Sequence, residues 1–160
     1  MPLRPVLLPL ALLLAAVPAR ADSGLALYLA EPSRPGRLED CERAPHALAP
    51  ESWSRVTWPL RLLWQGGATE LNPAAGQPAG ELREYCFRLD LDGNTLVWGA
   101  AVSRYSARYL NFPVLLSDAD KGAREVLLKP SLVREPAGQA EWRRVLTQRF
   151  STIAPPDPKP

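Results

Sequence analysis

Six runs of this chain place a large apolar side chain at every second position, and that spacing commits most of it to strands with one face on a core. In the strongest run, Val56, Trp58, Leu60, Leu62 and Trp64 alternate with Thr57, Pro59, Arg61 and Leu63. Pro59 has no N–H to give to a ladder, so this strand is expected at a sheet edge or bulged at that point. A second run covers residues 83–91, with Tyr85, Phe87, Leu89 and Leu91 on one face and Glu84, Cys86, Arg88 and Asp90 on the other. Asp92-Gly93-Asn94 follows, and these residues tolerate the positive φ angles of a tight hairpin. Residues 95–103 are therefore expected to return antiparallel. There Leu96, Trp98, Ala100 and Val102 face one way while Val97, Gly99 and Ala101 keep the other face small and apolar, which fits a central strand covered on both sides. The remaining runs are Leu25, Leu27 and Leu29; Leu110, Phe112, Val114 and Leu116; and Val126, Leu128 and Leu132. Together they predict a mainly β fold, an antiparallel sandwich or half-barrel of about six strands.

The period changes once, near the C-terminus. Trp142, Val145, Leu146 and Phe150 recur at helical spacing within residues 136–150, with Glu141, Arg143, Arg144 and Gln148 elsewhere on the wheel. One C-terminal helix is expected, with Pro136 in its first turn and Trp142 anchoring it on the sheet or at its open end. Residues 68–80 are rich in Pro, Gly and Ala and read as an exposed loop. Residues 154–160 carry four prolines and no core-forming side chain, so a disordered tail is expected after a single domain over 22–153.

The first 21 residues read as a secretory signal: Arg4, an apolar run from Val6 to Val17, then the small-x-small pattern Ala19-Arg20-Ala21. The apolar run is shorter than the roughly 20 residues of a helical membrane span. Cleavage after Ala21 would start the mature chain at Asp22, and the first cysteine, Cys41, lies too far on for a lipid anchor. The expected location is the periplasm or the medium. Removing residues 1–21 from 160 leaves 139, and it takes away Arg4 and Arg20, so 19 basic residues become 17 against 17 acidic ones. A mature chain without net positive charge lacks the general electrostatic term behind nucleic-acid binding. No nucleic-acid partner and no membrane span are expected.

Cys41 and Cys86 are the only cysteines, and an exported chain folds where disulfides form, so their pairing is the natural expectation. A metal site and a reactive thiol are the rival readings. Two cysteines with one histidine make a poor zinc set, and no metal or cofactor is expected.

That histidine, His46, sits in a loop context beside Cys41, and any histidine-dependent catalysis would have to use it. No serine stands in a G-x-S-x-G elbow and no S-x-x-K occurs. Asp90-Leu91-Asp92-Gly93-Asn94 and Asp118-Ala119-Asp120-Lys121-Gly122 look like the start of calcium loops. The twelfth positions, which should supply a bidentate glutamate, are Ala101 and Lys129, so both read as turns. Glu81 with Glu84 could be proposed as a carboxylate pair, but any two acids would serve as well. No phosphate-cradling glycine loop is present.

The segment richest in recognition chemistry is Ser103-Arg104-Tyr105-Ser106-Ala107-Arg108-Tyr109, between two predicted strands. Tyr and Arg dominate binding hot spots because each offers a large contact area with a directional polar end. The competing reading is a bulged continuation of the strand, with Tyr105 and Tyr109 at the rim of the core. Ser106-Ala107-Arg108-Tyr109 and Lys121-Gly122 resemble the Ser-Gly-x-x-Tyr loop and Lys-Gly pair of the periplasmic c-type lysozyme inhibitors. Ala107 stands where that loop has glycine, the tryptophans before the lysine are absent, and the cysteine placement differs, so no family is assigned. The sequence expectation is an exported, non-catalytic binding or accessory module, in one form inhibitory, that recognises an envelope or extracellular partner through Ser103, Arg104, Tyr105, Ser106, Arg108 and Tyr109. The alternative is a small periplasmic hydrolase that uses His46 with a nearby serine or carboxylate.

Overall fold

The structure, a computed structural model, describes residues 24–73, 82–118, 124–133 and 140–150. The expected leader (1–21) and proline-rich tail (154–160) lie outside the described residues. Among the described residues eight strands form one sheet: β1 (Leu25–Ala30), β2 (Ser54–Arg55), β3 (Leu60–Trp64), β4 (Gly67–Leu71), β5 (Tyr85–Leu91), β6 (Asn94–Ser103), β7 (Val114–Ser117) and β8 (Glu125–Lys129). Their order across the sheet is β2-β1-β5-β6-β7-β8-β3-β4, and the sheet curls into a half-barrel until β1 and β4 meet. A short helix α1 (Ala44–Ala47) follows a 3-10 turn, Leu38–Arg43, and the C-terminal helix α2 (Glu141–Phe150) closes the curl.

The architecture is the expected one with a different strand count, eight against about six. The two additional strands are β2, which has only two residues, and β4. Ala68 to Leu71 were expected in an exposed loop, yet they pair antiparallel with β3, and Ala68, Thr69 and Leu71 are buried. The bland composition of β4 has a packing cause. A Cβ on Gly67 would lie 2.6 Å from the Trp64 indole, so a bulky residue cannot pass there. The rest of the expected loop, 74–80, lies outside the described residues. The pairing is also not purely antiparallel, because β6 with β7 and β3 with β8 run parallel.

The run from Val56 to Trp64 is not one strand. It breaks before Leu60, and β3 lies inside the sheet between β8 and β4, so Pro59 terminates a loop and neither occupies an edge nor forms a bulge within the strand. Val56 instead reaches back, its N–H donating to the Leu27 carbonyl at 2.8 Å. The hairpin at 92–94 forms as expected, with positive φ at Asp92 (50°) and Gly93 (81°). A register shift opposite Leu89 and Asp90 moves Leu96 to the same side as Val97, against the strict alternation read from the sequence. Leu132, expected beside Val126 and Leu128, lies beyond the end of β8 and packs on the opposite face.

Two apolar clusters sandwich the sheet. The inner one collects Leu27, Leu62, Phe87, Leu89, Leu115 and Leu128 from across the curl and is capped by Trp142 and Leu146 of α2. The outer one covers only the central strands with Leu38, Cys41, Ala44, Trp53 and Leu110, from short helical turns and irregular chain. Cys41 and Cys86 are bridged there, with Cα atoms 5.0 Å apart and neither residue exposed. The helix departs from its expected wheel at one place. Arg143 is buried, and its guanidinium donates to the Gln65 side-chain oxygen at 2.6 Å in the β3–β4 turn.

Candidate functional site

β6 and β7 run parallel, so the chain between them must cross back along the sheet, and residues 103–113 do so over the outer face. Leu110 is the buried anchor of this crossing. A Cβ on Gly99 would lie 1.7 Å from the Pro113 carbonyl oxygen, so the absence of a side chain there lets the returning strand lie against β6.

The first half of the crossing is held at several points. The Arg104 N–H donates to the Ser117 carbonyl at 3.0 Å and the Ser106 N–H to the Ser103 carbonyl at 2.9 Å. The hydroxyl oxygens of Ser103 and Ser106 accept the N–H groups of Tyr105 and Arg108, at 3.3 and 3.4 Å, the turn chemistry these residue types favour. Arg104 faces Asp118 at 3.6 Å. Arg108 bridges two other segments, donating to the Gly36 carbonyl at 2.9 Å and to the Glu84 carboxylate at 3.0 Å. Glu84 adopts the left-handed conformation (φ 64°), an uncommon one for a residue with a side chain, and its N–H is tied to the Ala101 carbonyl at 2.9 Å.

The two tyrosines are left outside this web. Tyr105 is 75% exposed and Tyr109 88% exposed, so neither fills the rim of the core. The six predicted site residues thus fall into two kinds. Ser103, Ser106, Arg104 and Arg108 order the loop, and Tyr105 and Tyr109 present its contact area.

Arg108 also joins the loop to a pair of clefts. Gly36 and Glu84, the two groups it binds, line a cleft of about 340 Å³ together with Pro32, Pro35 and Tyr85. Tyr85 and Glu31 form a wall shared with a second cleft of about 610 Å³, whose apolar lining includes Leu29, Leu48, Val56 and Trp58. Arg34, between the cleft residues Pro32 and Pro35, makes a two-point contact with Asp40, one bond being 2.9 Å. That guanidinium keeps the Asp40 carboxyl below the usual carboxylate range, and Asp40 raises Arg34 in return.

His46 stands apart from these clefts. It is exposed on α1, with its ring edge-on to Trp98 at a centroid distance of 6.0 Å, and the Trp98 indole N–H donates to the Glu42 carbonyl at 2.8 Å. Among the described residues neither Ser103 nor Ser106 hydrogen-bonds to it. Asp90 lies in β5 facing Arg88 at 3.1 Å, and most of the second calcium-like stretch (119–122) lies outside the described residues. Among the described residues no helix is long and apolar enough to cross a membrane.

No protein-family model, no curated protein and no solved structure matches this chain. Its function must therefore be read from its own surface. The clefts escaped the sequence reading because Glu31, Tyr85 and Trp58 come from three separate segments. The one sequence signal was Glu31-Pro32-Ser33-Arg34-Pro35-Gly36, a polar stretch with two prolines and a glycine that marks an ordered turn beside a strand end.

Proposed function

We propose that the protein is an exported, non-catalytic binding module that recognises an envelope or extracellular partner protein through residues 103–109. The observation that carries this reading is the exposure of Tyr105 and Tyr109, 75% and 88%, on a loop whose backbone and arginines are already tied down. A loop ordered before contact loses less entropy on binding, so its aromatic area converts into affinity more fully than that of a flexible loop. Export is supported by the leader-like first 21 residues and by the Cys41–Cys86 bridge, which suits an oxidising compartment. An accessory or inhibitory role follows if the bound partner is an enzyme.

The test uses the oxidised, purified protein to retain partners from envelope and culture fractions, in parallel with a Tyr105→Ala/Tyr109→Ala double variant and with Tyr109→Ala alone. Loss of about 2 kcal/mol or more of binding by the double variant is the expected result for two hot-spot residues. Both positions are exposed, so thermal unfolding should shift little and any loss of retention belongs to the surface. Undiminished retention by both folded variants would refute the assignment.

A further inference from the structure

We infer that the paired clefts beside Tyr85 receive an extended peptide segment of the partner, with a lysine or arginine at Glu31 and an apolar side chain in the larger compartment. The inference rests on the proposed binding role only in taking the partner to be a polypeptide, since the clefts are built from other segments than the tyrosine loop.

Charge selects the basic residue. Among the described residues four charged side chains line the two clefts, and three are engaged: Glu84 holds Arg108, while Arg55 and Arg83 each have interactions of their own. Glu31 is exposed and has no ion-pair partner among the described residues, and it sits on the wall common to both compartments. An incoming cation there meets an unneutralised carboxylate in clefts that Tyr85 also lines, a setting that suits a lysine or arginine side chain.

Shape selects the extended chain. The compartments, about 610 and 340 Å³, lie in succession across one shared wall, which suits two same-face side chains of an extended chain better than one compact molecule. The larger one is bordered by Ser54 and Arg55, which form the edge strand β2. Among the described residues β2 pairs with β1 alone and stands at the edge of the sheet, the setting of the recognition mode in which main-chain bonds give affinity and pockets read alternate side chains. Leu29, Val56 and Trp58 then supply the apolar surface that would receive the second side chain.

Labelled, end-capped hexapeptides titrated against the folded protein by fluorescence anisotropy test this. A peptide holding Lys-x-Leu, with both side chains on one face of the extended chain, should bind, and peptides with Glu for Lys or Gly for Leu should bind about tenfold more weakly or worse, as loss of one good contact implies. Glu31→Lys, at an exposed position that does not threaten the fold, should reverse the charge preference. A Tyr105→Ala/Tyr109→Ala variant should leave these affinities unchanged, so that failure of the tyrosine loop and failure of the clefts are told apart. Equal binding of all peptides, an unaltered preference in Glu31→Lys, loss of peptide binding in the tyrosine variant, or binding of a fluorescent fatty acid with no peptide binding would each overturn the inference.

Discussion

The two faces of the sheet are sealed by different means. On the inner face, side chains from across the curl meet a regular amphipathic helix, and the contacts are those of periodic structure: Trp142 and Leu146 cover the strands, the Trp64 indole N–H donates to Thr147 Oγ1 at 3.1 Å, and Phe150 meets Trp64 edge to face. On the outer face the cover is a 3-10 turn, a four-residue helix and the 103–113 crossing, none of which could bury much area alone. That face relies on covalent and charge-based ties. The Cys41–Cys86 bridge fixes the cover to β5, and the Arg88 guanidinium lies 4.6 Å from the Tyr28 ring and 5.1 Å from the Trp53 ring, joining β1, β5 and the chain before β2. The difference teaches where recognition can reside. A face closed by irregular chain can vary its surface loops while β5 and β6 stay fixed beneath them.

The comparison breaks most severely at the inner face. Phe87 is fully buried between the strands, and Phe87→Ala should lower stability by about 3–5 kcal/mol, with both faces melting in one transition by circular dichroism and tryptophan fluorescence. A separate melting of the outer cover would show that the faces are not coupled through β5. Removing the bridge with Cys41→Ser/Cys86→Ser should lower stability by about 2–4 kcal/mol, because it closes a 45-residue separation. Hydrogen exchange should then accelerate first in residues 38–53 and only later in β3, β8 and α2, and uniform acceleration would erase the distinction between faces.

Gly99→Ala probes the seam where the crossing returns to the sheet. The added methyl meets the Pro113 carbonyl, so a loss of about 1–3 kcal/mol is expected, together with faster exchange at Ala100, whose N–H donates to that carbonyl at 3.2 Å. Unchanged exchange at Ala100 would show that the seam relaxes freely. The smallest effect is the response to acid. The folded pKa values of Asp40 and Glu141 are depressed by Arg34 and Arg144, so their contribution is complete above the unfolded carboxylate values and is lost only as pH falls through the lower folded values. Carboxyl chemical shifts followed by NMR should show both titrating below ordinary Asp and Glu. Midpoints in the ordinary range would deny that these exposed pairs persist in solution.

Period-two alternation, with one change to helical spacing, was enough to determine a mainly β fold with one C-terminal helix, because side chains on a half-buried element report their face directly, and Asp92-Gly93 determined its hairpin because few residues accept positive φ twice in succession. The Cys41–Cys86 pairing was the natural expectation for two cysteines in an exported chain, ahead of a metal site or a reactive thiol, and the bridge is formed. The segment 103–109 was legible as recognition chemistry, but its composition could not say which of its residues face solvent. Only the tertiary structure decided that the arginines are engaged by Glu84, Gly36 and Asp118 while the tyrosines stay out. It also decided the parallel pairings, the burial of Arg143 against Gln65, and the meeting of Glu31, Tyr85 and Trp58 at one pair of clefts. These depend on which strands become neighbours across the sheet, and a local pattern of side chains carries the face of each strand but not the identity of its partner.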